Sequence, residues 1–101
     1  GDGNQRRDFT HVSDIAKANL LAMQSKKVGN GEVINIGNGN NRSVNEIAKM
    51  MGGPTRRIDS VMEPRETLAD NSKAKKLLGW KPSVIIEKWI PTYKKSLGIS
   101  D

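Results

Sequence analysis

The sequence contains no cysteine, a single histidine and few aromatic side chains (two Trp, one Tyr and one Phe). Without cysteine there is no disulfide, no zinc-thiolate site and no cysteine nucleophile. His11 has no carboxylate partners at metal-ligand spacing, so no metal site is expected. Four aromatic side chains offer little surface for base stacking, which disfavours nucleic-acid binding.

Long apolar runs are also missing. No stretch of about 18 apolar residues is present, so we expect no membrane span. No charged-then-apolar segment at the start indicates a signal peptide, and a cytoplasmic protein is expected. Hydrophobic residues make up 35%, below the usual ~45–50%, which predicts a modest core in one domain over residues 1–101. The chain starts with Gly1 and a predicted strand follows at once, which indicates a fragment.

Charge is the strongest compositional signal. Seventeen basic against eleven acidic residues give a net charge of +6. Such an excess favours a polyanionic partner, whether nucleic acid, an acidic membrane face or a phosphorylated small molecule. Many of the lysines follow residue 71, where we interpret them as the solvated faces of two helices.

Hydrophobic periodicity predicts an α/β fold with about four helices and two or three short strands. The predicted strands cover residues 7–12, 32–37 and 56–59. The predicted helices cover residues 13–25, 44–51, 71–78 and a last segment starting near Ile86.

Capping residues mark several helix ends. Ser13 is the expected first N-cap, and the sequence from Ser43 to Glu46 matches the S-x-x-E capping box. Gly79 is a plausible left-handed C-cap. Within the last helix Pro91 predicts a kink or a late start.

Aromatic residues near the end of the chain are expected inside the fold. Tyr93 lies on the apolar stripe of the last helix and is expected in the core. Trp80 and Trp89 are expected in the core or at a domain interface.

Adjacent arginines near the start form the first candidate site. On a strand Arg6 and Arg7 would point to opposite faces, so that one meets a pocket and the other meets solvent. A guanidinium suits bidentate binding of phosphate. From spacing alone, a solvent-exposed basic strand edge explains the same pattern.

Three ordered motifs carry a family resemblance. Residues 1–14 resemble G-x-G-x-Q-x-R-D-F-x-(Y/H)-V-x-D of the extended short-chain dehydrogenases, the NAD-dependent epimerase/dehydratase family. Residues 32–48 resemble G-x-x-(F/Y)-N-I-G-x-G-x-x-x-S-V-x-E-(I/L)-A, and residues 68–82 resemble A-D-x-S-K-A-x-x-x-L-G-(W/Y)-x-P. The ordered set covers nearly the whole chain and is much more specific than any one motif.

The resemblance implies a fold and a role for this chain. It implies the small C-terminal, substrate-binding portion of an extended Rossmann-type enzyme similar to UDP-glucose 4-epimerase. The arginine matching Arg7 typically contacts the diphosphate of a nucleotide sugar, while Asp8 and Asp14 are expected to be structural. His11 stands where the family has Tyr or His, which implies packing beside the pocket.

The sequence departs from the family at the second phosphate arginine. The family has R-x-G-E before the third motif, but here Ser60 replaces the arginine and Met62 the glycine, while Glu63 fits the glutamate. Arg57 or Arg65 is expected to substitute from nearby. Trp89 stands where relatives often have glycine.

Catalytic and cofactor motifs are absent from the sequence. There is no G-x-x-G-x-x-G, and the only tyrosine lacks the Tyr-x-x-x-Lys spacing, so we expect no catalytic residue and no NAD site on this chain. The glycine-rich residues 37–41 are interpreted as an ordinary turn. NAD is expected in the intact parent enzyme, on a Rossmann half that this chain does not contain.

The leading hypothesis is therefore a fragment of a nucleotide-sugar epimerase or dehydratase that binds the diphosphate and is inactive alone. A UDP-sugar is the expected ligand, the Rossmann half the expected partner, and a homodimer one expected assembly. Two alternatives stay open, namely a stand-alone truncated binding or interaction module and a small basic nucleic-acid-binding domain.

Overall fold

The computed structural model describes residues 1–99 of the 101-residue chain. In chain order the elements are β1 (Arg6–Arg7), α1 (Val12–Gln24), β2 (Arg42–Ser43), α2 (Val44–Met51), α3 (Ser72–Leu78) and α4 (Ile86–Ser96). The four helices and the two-stranded sheet found within residues 1–99 confirm the predicted α/β class. No helix within residues 1–99 has the length and apolar character needed to cross a membrane.

Strand β1 lies between two segments that are distant in sequence. On one side it pairs antiparallel with β2, with Arg6 opposite Ser43. On the other side the Arg6 amide donates to the Arg65 carbonyl at 2.9 Å, and the Thr67 amide donates to the Arg6 carbonyl at 3.0 Å. The start of the chain is thereby fixed against both the β2–α2 corner and the segment that precedes α3.

The predicted strands were too long or wrong. The strand expected over residues 7–12 is confined to β1, because β2 offers only two residues before α2 begins. Residues 32–37 and 56–59 form no ladder with any described residue. A strand exists only where a neighbour satisfies its backbone groups, and local sequence does not reveal the neighbour.

The N-terminal caps agree with the sequence in α2 but not in α1. In α1 the cap is His11, whose Nδ1 accepts the Ser13 amide at 3.0 Å, so the assignment of Ser13 was wrong. In α2 the Ser43 hydroxyl accepts the Glu46 amide at 3.1 Å, as the capping box predicts.

The remaining helix ends test the predictions from glycine and proline. Gly79 ends α3 in the left-handed region at φ 64°, which confirms the predicted C-cap. Helix α4 begins at Ile86 and runs through Pro91, so a late start was wrong. Pro91 lies in the second turn of α4, where its missing amide removes one helical hydrogen bond.

The core is small and centred on Trp80. This side chain is completely buried against Ala18 of α1 and Ala74 of α3. The small size of both alanines lets the two helices approach the indole closely. The partly buried apolar side chains around this cluster are Leu21, Ile34, Ile36 and Leu78.

The molecule is a thin slab, with extents of 49 × 33 × 15 Å. Because the axes of packed helices lie about 8–10 Å apart, this thickness limits the stack to about two elements, as where α1 packs on α3 and α2 on α4. Tyr93 consequently stays 38% exposed on α4, so its predicted place in the core was wrong. Only Ile90 of the apolar α4 stripe is buried as fully as Trp80.

Asp14 connects α1 to the chain before α4. Its buried carboxylate accepts the amides of Ser83 and Val84 at 3.0–3.1 Å and the Ser83 hydroxyl at 2.7 Å. The Asp14 carbonyl accepts the Trp80 indole N–H at 2.9 Å. These contacts confirm a structural role for Asp14, although they fix the 80–84 segment rather than a strand-to-helix corner.

Hydrogen bonding dominates the titration of Asp14. Burial alone would raise the pKa of this carboxyl, but the bonds from Val84 and Ser83 outweigh it and hold the pKa below the ordinary 3.8. The ionised form therefore stabilises the fold above that ordinary value. The contribution is lost as the pH falls through the lower pKa of the folded state.

Asp14→Ala should lower the free energy of unfolding by about 2–3 kcal/mol, because it leaves three donors around a buried site without an acceptor. Denaturant unfolding followed by tryptophan fluorescence measures this change. Below pH 3.8 the native chain should lose stability more steeply than the variant. An exposed control, Asp59→Asn, should unfold like the native chain. Equal stability of Asp14→Ala and the native chain would contradict the role assigned to this carboxylate.

Candidate functional site

The side chain of Arg6 is used to hold the fold. Its guanidinium donates to the side-chain oxygen and the carbonyl of Asn41, at 2.9 and 3.1 Å, and forms an ion pair with Glu46 at 3.0 Å. Asn41 is buried and donates in turn to Glu66 and to the Thr67 carbonyl. The Arg6 side chain therefore connects β1 to α2 and, through Asn41, to residues 66–67.

Arg7 is held differently and stays partly accessible. Its Nη1 donates to the Arg6 carbonyl at 2.7 Å, and its Nη2 lies 3.5 Å from the Glu63 carboxylate. Glu63 also accepts the Gln5 side-chain amide at 2.9 Å. The Arg7 side chain remains 24% exposed. The Arg6 side chain is more exposed, at 39%, but each of its three guanidinium nitrogens already donates a hydrogen bond. Arg7 bonds the Arg6 carbonyl and has only a longer contact with Glu63, so it has fewer bonds to give up for a ligand.

Asp8 positions the backbone on either side of Arg7. Its carboxylate accepts the amides of Asn38, Gly39 and Ala69 at 2.9–3.1 Å, which confirms the predicted structural role. The glycine-rich loop thus directs its amides at a protein carboxylate rather than at a ligand. A side chain at Gly37 would collide with Ala69 and with Asp8 itself.

These contacts decide whether the loop suits NAD. A dinucleotide site offers free backbone amides and glycines that leave room for a pyrophosphate. Here the amides of Asn38 and Gly39 are occupied and the space beside Gly37 is filled. The loop does not fit the cofactor, in agreement with its interpretation as an ordinary turn.

A polar cavity of about 760 Å³ lies beside the start of the chain. Its walls come from the residues before β1, one face of α2 and the loop over residues 55–65. Arg57 and Arg65 both line it, so the structure brings together the two candidates for the second phosphate contact. Arg7 does not line this cavity, but it contacts Glu63, which does line it.

Arg65 already has an anionic partner. Its two terminal nitrogens meet the two carboxylate oxygens of Asp2 at 3.0 and 3.1 Å. The Arg65 guanidinium, with the Asn4 amide, lowers the pKa of Asp2 from 3.8 to about 2. The Arg65 side chain is largely exposed and that of Asp2 is partly exposed, so the pair contributes little to stability but keeps Arg65 at the cavity wall.

Arg57 remains exposed on the loop that covers the cavity. Its charge also lowers the pKa of Asp2, although less than the direct contact from Arg65 does. Arg57 is therefore near the Asp2 carboxylate, with its guanidinium accessible to a ligand.

A second, apolar cavity of about 280 Å³ lies beside His11. The His11 ring packs edge-on against Trp89 at 5.3 Å, and Trp89 stacks on Tyr93 at 4.6 Å. This arrangement confirms the packing role expected of His11. Trp89 is half-buried there and lines the cavity.

Two features of the site are not predictable from local sequence. Gln5 and Glu63 fit family motifs, but nothing in their spacing indicates that they contact each other or Arg7. The Asp2–Arg65 pair joins residues 63 positions apart. The sequence signal for these contacts is the presence of opposite charges in separated motifs. Many such pairs of residues in a sequence form no contact in the fold, so this signal does not predict these two.

Comparison with known proteins identifies the family. A family model described as GDP-mannose 4,6 dehydratase matches residues 1–92. A putative UDP-glucose 4-epimerase of Methanocaldococcus jannaschii is 40% identical over 97 residues, which cover 89% of this chain and 30% of that protein. A UDP-glucuronate 4-epimerase of Thermodesulfobacterium geofontis is 39% identical over 100 residues, covering 87% and 29%.

Solved structures agree with the sequence comparison. UDP-glucuronic acid 4-epimerase from Bacillus cereus, in complex with UDP-glucuronic acid and NAD, superposes with a TM-score of 0.83 at 37% identity. The match covers 96% of this chain and 34% of that one. UDP-glucose 4-epimerase from Thermotoga maritima, with UDP-glucose, superposes with a TM-score of 0.76 at 34% identity, covering 96% and 34%.

The fold and the ordered motifs define part of an extended short-chain dehydrogenase. The chain belongs to the NAD-dependent epimerase/dehydratase family, and specifically to the group that the GDP-mannose 4,6 dehydratase model describes. It spans about a third of the length of the relatives that it matches.

Arg65→Gln should raise the pKa of Asp2 from about 2 toward 3.8, because the largest cause of the depression is removed while the Asn4 amide and Arg57 still lower the pKa. Carboxyl carbon shifts followed by NMR over pH 1.5–6 measure this pKa. Arg56→Gln removes another arginine of the cavity lining and should leave the Asp2 titration unchanged. An unaltered titration in Arg65→Gln would show that the bidentate contact does not form in solution.

Proposed function

We propose that this chain is the part of an NAD-dependent nucleotide-sugar epimerase or dehydratase that binds the diphosphate of the substrate, and that it supplies no catalytic residue. The observation that carries the proposal is the position of four arginines around one polar cavity. Arg56, Arg57 and Arg65 line it, and Arg7 contacts Glu63 in its wall. Guanidinium groups bind phosphate oxygens in pairs, and a diphosphate offers several such oxygens.

The names of the relatives support the nature of the ligand. Those described above are UDP-glucose and UDP-glucuronate epimerases, and two of the solved structures contain a UDP-sugar. For this chain we therefore propose a UDP-sugar. Its nucleotide end would be fixed here, so that binding energy far from the reacting carbon positions the sugar for chemistry elsewhere.

The chemistry itself requires residues that are absent from this sequence. NAD supplies hydride acceptance and return when it is bound to an epimerase of this family. The glycine-rich loop of this chain does not fit that cofactor, and no Tyr-x-x-x-Lys is present. We propose that a Rossmann half provides both, and that this chain alone has no activity.

Residues 32–36 support docking with such a half. Their side chains alternate, with Val33 79% exposed on one side and Ile34 and Ile36 packed on the core cluster at the other. Their backbone makes no ladder with residues 1–99. An extended segment with apolar side chains on both faces is typical of a strand inside a sheet that is covered on both sides. We propose that it joins the sheet of the Rossmann half.

UDP binding tests the function directly. When the 101-residue chain is titrated with UDP, the largest NMR shifts should map to Arg7 and the cavity residues. Arg7→Ala should weaken UDP binding by about tenfold, the typical effect of losing one charge-assisted contact. A matched control is Arg42→Ala, which removes an arginine that pairs with Glu87 away from the cavity. Shifts scattered over the lysines of α3 and α4, unchanged by Arg7→Ala, would contradict the proposal.

Amide exchange tests the docking. Val33 to Ile36 should exchange rapidly in the chain alone, because their amides lack ladder partners. Mixing with the nucleotide-binding part of the Bacillus cereus epimerase should slow them strongly, while the amides of the exposed loop over residues 55–62 should remain fast. Formation of a complex in which Val33 to Ile36 stay unprotected would exclude this strand as the contact.

A further inference from the structure

Glu63 occupies the place where a ligand would approach Arg7. One of its carboxylate oxygens lies 3.5 Å from Arg7 Nη2, and the other accepts the Gln5 side-chain amide at 2.9 Å. Gln5 and Glu63 line the polar cavity, whereas Arg7 does not. The Nη2 end of the Arg7 guanidinium therefore meets a carboxylate of the protein itself, and that carboxylate lines the cavity.

The contact between Glu63 and Arg7 is loose. A charge-assisted hydrogen bond between a guanidinium and a carboxylate is typically about 2.7–2.9 Å long, which is shorter than the 3.5 Å found here. Both side chains are partly exposed, 24% for Arg7 and 39% for Glu63, so water screens the pair. Such a contact is readily exchanged for a stronger anion.

Arg7 does not depend on Glu63 for its position. Its Nη1 donates to the Arg6 carbonyl at 2.7 Å, and that carbonyl belongs to a residue fixed by the β1 pairing. Loss of the Glu63 contact would leave the guanidinium anchored at one edge and open at the other. An arginine held in this way is prepared to accept a phosphate.

We propose that the Glu63 carboxylate is an internal competitor for the Arg7 guanidinium, which the diphosphate displaces on binding. Glu63 then sets the affinity of the site: a ligand must supply enough negative charge to replace the carboxylate, and a neutral ligand gains nothing from Arg7. Gln5 holds the glutamate close by, so that it returns when the ligand leaves. This inference rests on the proposed diphosphate-binding function.

Glu63→Gln distinguishes competition from positioning by the sign of its effect. As a competitor, its removal should tighten UDP binding about two- to fivefold, the fold-change that corresponds to the loss of an exposed ion pair. If Glu63 instead positioned Arg7, the same substitution would weaken UDP binding. Titrations of the 101-residue chain with UDP by NMR provide the dissociation constants, and uridine, which has no phosphate, should bind both forms equally.

A matched control separates displacement from the general charge of the cavity. Asp59→Asn removes one negative charge from the same lining without touching Arg7, and should strengthen UDP binding less than Glu63→Gln does. An equal gain in both variants would overturn the inference, and so would weaker or unchanged binding in Glu63→Gln. If the native chain bound no UDP, or if Arg7→Ala bound it like the native chain, the proposed function would itself be wrong.

Discussion

The carboxylate of Asp8 is the contact on which the site depends. Three amides from two distant segments, those of Asn38, Gly39 and Ala69, converge on one side chain at 2.9–3.1 Å. These bonds bring the glycine-rich loop and the chain before α3 to the end of β1. Arg7 is the residue before Asp8 and shares its backbone, so its position relative to the cavity follows from this arrangement. The glycines of the loop serve that convergence, because a side chain at Gly37 would prevent it.

The thin shape of the molecule explains how its few buried groups are used. A slab 15 Å thick cannot enclose many apolar side chains, and Trp80 with two alanines forms its main cluster. Polar contacts therefore do much of the joining between segments, as Asp8, Asp14 and Asn41 do. Such contacts are directional, and they fix the positions of neighbouring charged groups more narrowly than apolar packing would. Directional polar contacts of this kind also fix the positions of Arg7 and Arg65 near the cavity.

Local features of the fold were predictable from the sequence, and non-local ones were not. The apolar stripe of α2, the Ser43 cap and the left-handed Gly79 depend on neighbours within a few residues. Strand lengths depend on partners far along the chain, so the strand predicted over residues 7–12 was too long and the one over residues 32–37 forms no ladder within residues 1–99. Tyr93 does lie on the apolar stripe of α4, but it is 38% exposed. The stripe in the sequence does not reveal whether another element covers that side chain.

The site shows the same division. The family resemblance predicts a phosphate contact for Arg7, and the departure at Ser60 predicts Arg57 or Arg65 as the second contact; the fold places Arg57 and Arg65 at one cavity. The partners that set their behaviour, Glu63 for Arg7 and Asp2 for Arg65, are more than fifty residues away in sequence. The pairing of β1 with residues 65–67 brings these charges together.

The most direct test of diphosphate binding is a crystal structure of the 101-residue chain grown with UDP. The diphosphate should lie in the polar cavity within hydrogen-bond distance of the Arg7 guanidinium, with Arg57 or Arg65 on its other side. A diphosphate bound among the lysines of α3 and α4, with the cavity empty, would contradict the assignment of this site.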